Sequence, residues 1–312
     1  MGEHQTSVVV ATRDRRDSLR ATLARLTARD SRPVVVVDNG SDDGTPAMVR
    51  RDFPQVCLVP LGRNRGAAAR NIGVAVASTE LVAFADDDSW WDTGALATAE
   101  KLFGASPDLG LLAARILVGP DRRLDPTCAE MAAGPLGLDR HGHRRILGFV
   151  ACGAVVRREA FREVGGFEEL LFFLGEEETL ALDLAAAGWD LIYAPEVVAL
   201  HHPGSVERRR EARHRLQTRN RLLSSMMHQP WPAVTRQLTD LAGEAITDRH
   251  ARAALGQALV RFPGAISRRR PLPPGVEKAR RAVEEGSELT NGRLGGPPRG
   301  KSVLEPDGGE KR

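Results

Sequence analysis

Four short runs of β-branched and apolar residues, Ser7 to Ala11, Val34 to Asp38, Gln55 to Val59 and Leu81 to Ala85, are separated by stretches with helical spacing. This alternation restricts the fold more than any other feature of the chain. Apolar runs of such length without polar alternation belong to strands buried on both faces, as in a parallel sheet. Between the first two runs Leu19, Leu23 and Leu26 recur at i, i+4 and i+7, with Asp17 or Ser18 placed to cap a helix. A second helix is expected after Thr45-Pro46, where proline suits the first helical position, and a third over Gly66 to Ala77. Strands alternating with helices require right-handed crossovers, so the expected class is α/β with a mostly parallel central sheet and flanking helices.

The pattern changes after about residue 110. Gly110 to Val118 and Ile146 to Arg157 read as strands around a loop rich in Gly, Pro and charge, so a mixed second half is expected. A helix is expected over Glu177 to Ala187, stopped by Gly188, and a last strand over Asp190 to Ala194, stopped at Pro195. The resulting division is a first half over 1–109, a second over 110–205, a helical region over 206–267 and a disordered tail over 268–312. The tail is assigned on its Gly, Pro and Arg content and its lack of large apolar residues.

The 312 residues are 42% hydrophobic, enough for a substantial core, and 44 Lys and Arg nearly balance 41 Asp and Glu. A net charge of +3 gives no argument for a nucleic-acid partner. Cys57, Cys128 and Cys152 are too scattered for a zinc site or a disulfide framework, which fits a reducing compartment. The polar Met1 to Thr6 lacks a signal-peptide pattern, and the longest uncharged run, Ile146 to Val156, is too short to span a bilayer. A cytoplasmic location is expected, with peripheral contact at the inner membrane face left open. Seven arginines between Arg208 and Arg221 precede Leu222-Leu223 and Met226-Met227, a pattern able to lie on anionic lipid. A solvated helix face with Glu207 and Glu211 pairing some of the arginines is the plainer and preferred reading.

The fourth strand runs into Asp86-Asp87-Asp88. Ligands of open α/β sheets bind at the carboxyl ends of strands. Residues i and i+2 of an extended segment point the same way, so Asp86 and Asp88 can converge while Asp87 points elsewhere. Clustered anions call for a cation, and carboxylate oxygens favour Mg2+ or Mn2+. An acidic turn, or Asp88 capping a helix near Trp90-Trp91, is the plainer alternative.

Taken in order, Val10-Ala11-Thr12-Arg13-Asp14-Arg15, Asp38-Asn39-Gly40-Ser41-Asp42-Asp43-Gly44-Thr45, Asn64-Arg65-Gly66 with Ala69-Arg70-Asn71-Ile72-Gly73, and Asp86-Asp87-Asp88 resemble the family 2 glycosyltransferases, which have the GT-A fold. The resemblance covers roughly residues 5 to 225, with Ala11 in place of the usual proline and Asn39 in place of a second acid. It implies a Rossmann-like donor half and a mixed acceptor half. It also implies that Asp38 bonds the nucleotide base, that Thr12 and Arg13 line the same pocket, and that Asn64, Arg70, Asp86 and Asp87 bind the donor. Asp86 and Asp88 would hold Mn2+ or Mg2+, Asp88 more directly, and His201 would complete the metal site.

Gly165-Gly166-Phe167-Glu168-Glu169 and Phe172-Phe173-Leu174-Gly175-Glu176-Glu177-Glu178 resemble the acceptor-side segment of that family, whose acidic pair opens a helix. By that match Glu177 is the base, with Glu176 as second choice. Acidic residues in a first helical turn are also favoured by the helix dipole alone. The implied reaction moves a sugar, with inversion, from a UDP-, GDP- or dTDP-linked donor to a saccharide, lipid-linked or small-molecule acceptor. A nucleotide-sugar-binding protein without chemistry and a nucleotidyltransferase are the competing readings. The second lacks its Gly-x-Gly loop, since Thr12-Arg13-Asp14-Arg15-Arg16 follows the first strand.

Overall fold

The computed structural model describes residues 5–28, 31–204 and 210–293, the last stretch with side chains from 212 to 286. In chain order come β1 (Thr6–Thr12), α1 (Arg16–Ala28), β2 (Val34–Asp38), α2 (Thr45–Asp52), β3 (Cys57–Pro60) and a 3-10 turn (Gly66–Ala68) leading into α3 (Ala69–Val76). Next are β4 (Leu81–Ala85), β5 (Ser89–Trp91), α4 (Ala95–Ala105), β6 (Leu109–Val118), β7 (Arg123–Leu124), α5 (Pro126–Ala132) and β8 (Arg144–Arg145). A second 3-10 turn (Ala151–Gly153) precedes β9 (Ala154–Arg157), α6 (Arg158–Val164), α7 (Glu176–Ala186) and β10 (Asp190–His201). The rest is helical: α8 (Arg210–His228), α9 (Trp231–Thr247), α10 (Arg249–Ser267) and α11 (Pro274–Arg293).

The main path through the sheet is β3-β2-β1-β4-β9-β6-β10-β5. Strands β3, β2, β1 and β4 run parallel, as their apolar runs require, and Val8–Val10, Val34–Val37 and Leu81–Ala85 are buried. The edge strand β3 is more exposed. The expected halves share one continuous sheet, because β9 enters antiparallel between β4 and β6 and joins them.

Two strand boundaries differ from expectation. Only Ala154–Arg157 of the Ile146 to Arg157 run is a strand, since the 3-10 turn intervenes. Strand β10 does not stop at Pro195 but continues to His201, with a register shift between Ala194 and Val198 against β6. A proline has no N–H for the ladder, and the bulge takes it out of pairing while the strand carries on. Trp90 and Trp91 start no helix; they lie in β5, antiparallel to β10.

The C-terminal helices form a second core, in which Leu222, Leu223, Met226 and Met227 pack with Leu171, Val234 and Leu241. That burial takes the first four out of the lipid contact that the sequence pattern had left open. Glu207, Arg208 and Arg209, and the side chains of Arg210 and Glu211, lie outside the described residues. Disorder from 268 is also corrected, because α11 occupies Pro274–Arg293 and packs on α7. Glu277 is buried and bonded to Arg280 and Arg281, and Ala279, Ala282 and Glu284 are good helix formers. Residues 294–312 lie outside the described residues. Among the described residues no helix is long and apolar enough to cross a membrane.

Candidate active site

Strand order reverses at β1, with β2 on one side and β4 on the other, so a crevice opens beyond the carboxyl ends of these strands. Register pairs Thr12 with Asp38 and Val10 with Ala85. Thr12, Asp38 and the Asp86–Asp88 turn therefore converge on this edge.

The loops after β1 and β2 brace each other. Asp14 adopts a left-handed conformation (φ 52°) that turns the chain back. Its amide donates to Ser41 Oγ (2.9 Å), its Oδ1 accepts from the Asp42 amide (2.8 Å), and the Arg16 amide donates to Asp43 Oδ2 (2.9 Å). Asp38 is 2% exposed. Its Oδ2 accepts from the Ser41 amide at 3.3 Å, and its buried Oδ1 has no hydrogen-bond partner among the described residues. Asn39, at the expected second acid, bonds Gly66 O through Nδ2 (3.0 Å) and the Arg65 amide through Oδ1 (2.7 Å). An acid could accept the second of these bonds but not donate the first. Asn64 shapes the same loop, its Oδ1 accepting from the Gly66 amide at 2.9 Å.

The three aspartates have separate surroundings. Asp86 Oδ1 accepts from Arg70 Nη2 at 2.5 Å. Asp87 is held by Thr12 Oγ1 (3.1 Å) and Arg15 Nε (3.1 Å), and its carbonyl accepts from Ser18 Oγ and Thr22 Oγ1 (2.9 Å each). Burial, with Asp88 and Asp86 nearby, pushes its carboxyl up to about 6 against the pull of Arg15. Asp88 Oδ2 accepts from Arg15 Nη2 at 3.0 Å, and its Oδ1 lies 3.3 Å from His201 Nε2. Burial acts to raise the Asp88 pKa, but His201 and Arg15 overcome it and hold the group below its ordinary value. The hydrogen bond to Asp88 raises the His201 pKa.

His201 reaches Asp88 through strand register. Strand β10 pairs His201 with Ser89, and the His202 amide donates to Asp88 O at 2.8 Å. Asp88 and His201 could together contribute an oxygen and a nitrogen to a divalent cation. Among the described residues no group of three or more His, Cys, Asp and Glu is assembled as a metal cage. A two-residue donor set suits a Mg2+- or Mn2+-type ion that completes its coordination with water and substrate phosphates. Imidazole leans toward Mn2+.

Across the crevice, α7 begins at Glu176 after Gly175 (φ 90°). Glu176 is buried, its Oε2 has no partner among the described residues, and burial raises its pKa. Glu177 Oε1 accepts from the Ala151 amide at 2.9 Å. Burial and the adjacent Glu176 push the Glu177 carboxyl up to about 7. Arg70 is buried rather than solvated. Burial opposes its charge, yet Asp86, Glu176 and Glu177 outweigh that and raise its pKa. The hydrogen bond of this guanidinium goes to Asp86, while the α7 carboxylates act on it through their charge.

Thr12, Asp38, Arg70, Asp86, Asp87, Asp88, His201, Glu176 and Glu177 thus gather at one edge of the sheet. Arg13 is exposed, with its guanidinium 3.4 Å from Asp14 rather than at the aspartate turn. Trp90 lies under Arg25 (4.3 Å to the ring centroid) and beside His202, and Trp91 is buried. Cys152 is fully buried, and burial raises its thiol pKa far from nucleophilic use. Sequence reasoning missed Arg15, which spans Asp87 and Asp88. The only local signal was its place directly after Asp14, which is left-handed.

Residues 7–165 match the family model of glycosyl transferase family 2. A Mycobacterium tuberculosis N-acetylglucosaminyl-diphospho-decaprenol L-rhamnosyltransferase is 29% identical over 252 residues, covering 66% of this chain and 79% of that protein. The pre-mycofactocin glycosyltransferase of the same organism is 30% identical over 208 residues, 62% of this chain and 42% of its own. Among solved structures, a mannosyltransferase from Pyrobaculum calidifontis in complex with GDP-Man and Mn2+ aligns with TM-score 0.55 at 23% identity, covering 93% and 79% of the two chains. The S. aureus TarS fragment in complex with UDP-GlcNAc aligns with TM-score 0.58 at 17% identity, covering 93% and 92%. At these identities the solved structures speak for the fold, while the family match covers the β1–β4 crevice and its aspartate turn. The fold is GT-A, and the chain belongs to glycosyl transferase family 2 and is a glycosyltransferase.

Proposed function

We propose that the chain transfers a sugar from a nucleoside-diphosphate donor to an acceptor hydroxyl with inversion, using Glu177 as base and a divalent cation at Asp88 and His201. The observation that carries this reading is the convergence, through Arg70, of Asp86 with the Glu176-Glu177 pair at the edge where Asp88 meets His201. Asp38 supports the donor assignment, because its unpartnered buried Oδ1 can accept an N–H from a base. Arg15 and Arg70 add positive charge beside a diphosphate.

In the reaction the acceptor O–H gives its proton to Glu177 and the acceptor oxygen bonds to the anomeric carbon. The bond from that carbon to the diphosphate oxygen breaks, and the nucleoside diphosphate leaves with the electron pair. A bound cation would offset the charge that develops on this leaving group. The curated relative from M. tuberculosis is named for a diphospho-decaprenol acceptor, and a lipid-diphosphate-linked saccharide is the acceptor class we assign to this chain.

Thermal shift with UDP-, GDP- and dTDP-sugars, with and without Mn2+, tests the donor half. One donor raises the melting temperature in a Mn2+-dependent way, by about 2.7 kcal/mol of stabilisation at a hundred times its Kd. Asp88→Ala loses the Mn2+-dependent part of the shift and the accompanying slow donor hydrolysis. A full shift with Asp88→Ala, or no response to any donor, overturns the reading.

A further inference from the structure

Helix α10 carries a face that the fold leaves uncovered. Its Ala251, Ala254, Ala258 and Ala265 are buried against α8 and α9. On the other side Arg252, Gly256, Leu259, Val260 and Pro263 follow at i, i+4, i+7, i+8 and i+11, which is one stripe of a helix. Leu259 is 51% exposed, Val260 79% and the neighbouring Phe262 39%, and Ile246 at the end of α9 is 75% exposed.

Along α10 itself the charge is basic, with acids only at its two ends. Exposed Asp248 caps the helix beside Glu244 and Ile246 at one end, and Glu168 meets Arg268 at the other. From Arg249 to Arg270 the chain has six arginines and no Asp or Glu, although basic and acidic residues nearly balance over the whole sequence. Arg252 donates to the carbonyls of Ala245 and Ile246, and Arg269 to those of Met226 and Gln229, so these bonds fix the cations without neutralising them. Arg268 pairs with Glu168. An apolar stripe between arginines would repel a second copy of itself, and it complements an anionic lipid surface.

The stripe also has a definite place relative to the site. Gly264 of α10 packs on Leu170, and Arg268 Nε reaches Glu168 Oε1 at 3.1 Å, so the end of α10 abuts the loop that leads into Glu176 and Glu177. Phe172 in that loop is itself exposed.

We propose that the exposed face of α10, centred on Leu259, Val260 and Phe262 and flanked by arginines, docks the enzyme peripherally on an anionic bilayer beside the acceptor entrance. The lipid-linked acceptor in this proposal rests on the function proposed above; the docking itself rests on the surface. A lipid tail would then stay in the bilayer while its saccharide reaches the crevice.

The test is flotation of the full chain with vesicles of phosphatidylcholine alone or mixed with phosphatidylglycerol. Binding is expected to the anionic vesicles at low salt, to fall steeply at high salt, and to weaken about tenfold or more in Leu259→Glu/Val260→Glu. That variant keeps the wild-type donor thermal shift, which separates this proposal from the donor assignment. Absence of binding to anionic vesicles, or equal binding by the variant, overturns the docking. So does lipid-free self-association that the variant abolishes, which would make the face a contact between copies.

Discussion

Glu177→Gln is expected to lower transfer by about 10²–10⁴-fold, the usual worth of a positioned general base. The change is nearly isosteric, and Gln Oε1 can still accept from the Ala151 amide, so α7 stays seated. The loss should appear in kcat, with donor KM close to wild type. The same carboxyl sets the pH profile. Burial and Glu176 raise it to about 7, and a base must be ionised, so wild-type kcat rises with pH through about 7. The residual activity of the variant lacks that inflection. Stability carries the opposite sign. Between the ordinary value of 4.5 and about 7 the native protein holds a proton that the unfolded chain has released, so stability from this group falls as pH rises through that window. Glutamine carries no such cost, so Glu177→Gln melts higher than wild type at pH 8, and the gap closes toward pH 4.5. Near-normal turnover by Glu177→Gln, or an unchanged pH inflection, moves the base to Glu176 or elsewhere.

The part of this site visible in the sequence is the part made by contiguous residues. Buried parallel strands read as apolar runs, and Asp86–Asp88 and the Asp38 turn follow two such runs directly, so fold class and crevice position come from local pattern. The partners that set the chemistry come from distant segments. His201 meets Asp88 because β10 survives Pro195 through a bulge and pairs with β5, and proline taken at face value ends the strand at Ala194. Arg15 reaches Asp87 and Asp88 because Asp14 takes a left-handed turn that no periodicity marks. Composition misled in the C-terminal region. Leu222 and Met226 looked available to lipid until α9 and α10 covered them, and the charged segment of α11 is ordered by Glu277 bonding to two arginines and by packing on α7.

Asn220→Ala is expected to disable the enzyme through the loop in front of α7. Phe172 (φ 67°) and Leu174 (φ 73°) are non-glycine residues in the left-handed region, a conformation that costs about 1–3 kcal/mol each unless the surroundings impose it. Asn220 imposes it. From buried α8 its Nδ2 donates to Leu171 O (3.0 Å), Phe173 O (2.8 Å) and Leu174 O (2.5 Å), two hydrogens shared among three carbonyls. Arg219 fixes the direction of that amide, its Nε donating to Asn220 Oδ1 at 2.8 Å while Nη2 takes Leu171 O at 2.7 Å. The loop then hands its order on in two directions. Gly175 opens α7 and seats Glu176 and Glu177, and Phe172 O accepts from the Ala67 amide at 2.7 Å, beside the segment that carries Arg70. Truncating Asn220 strands buried carbonyls and should cost roughly 2–4 kcal/mol of stability, with kcat down about tenfold or more at temperatures where the variant is fully folded. Asn220→Asp keeps the shape but turns a carboxylate toward the same carbonyls, so it should be at least as damaging, which isolates the donor N–H groups from simple volume. A positioning role requires kcat to fall more than donor KM rises; a lowered melting temperature with unchanged kcat would reduce Asn220 to a stabilising residue.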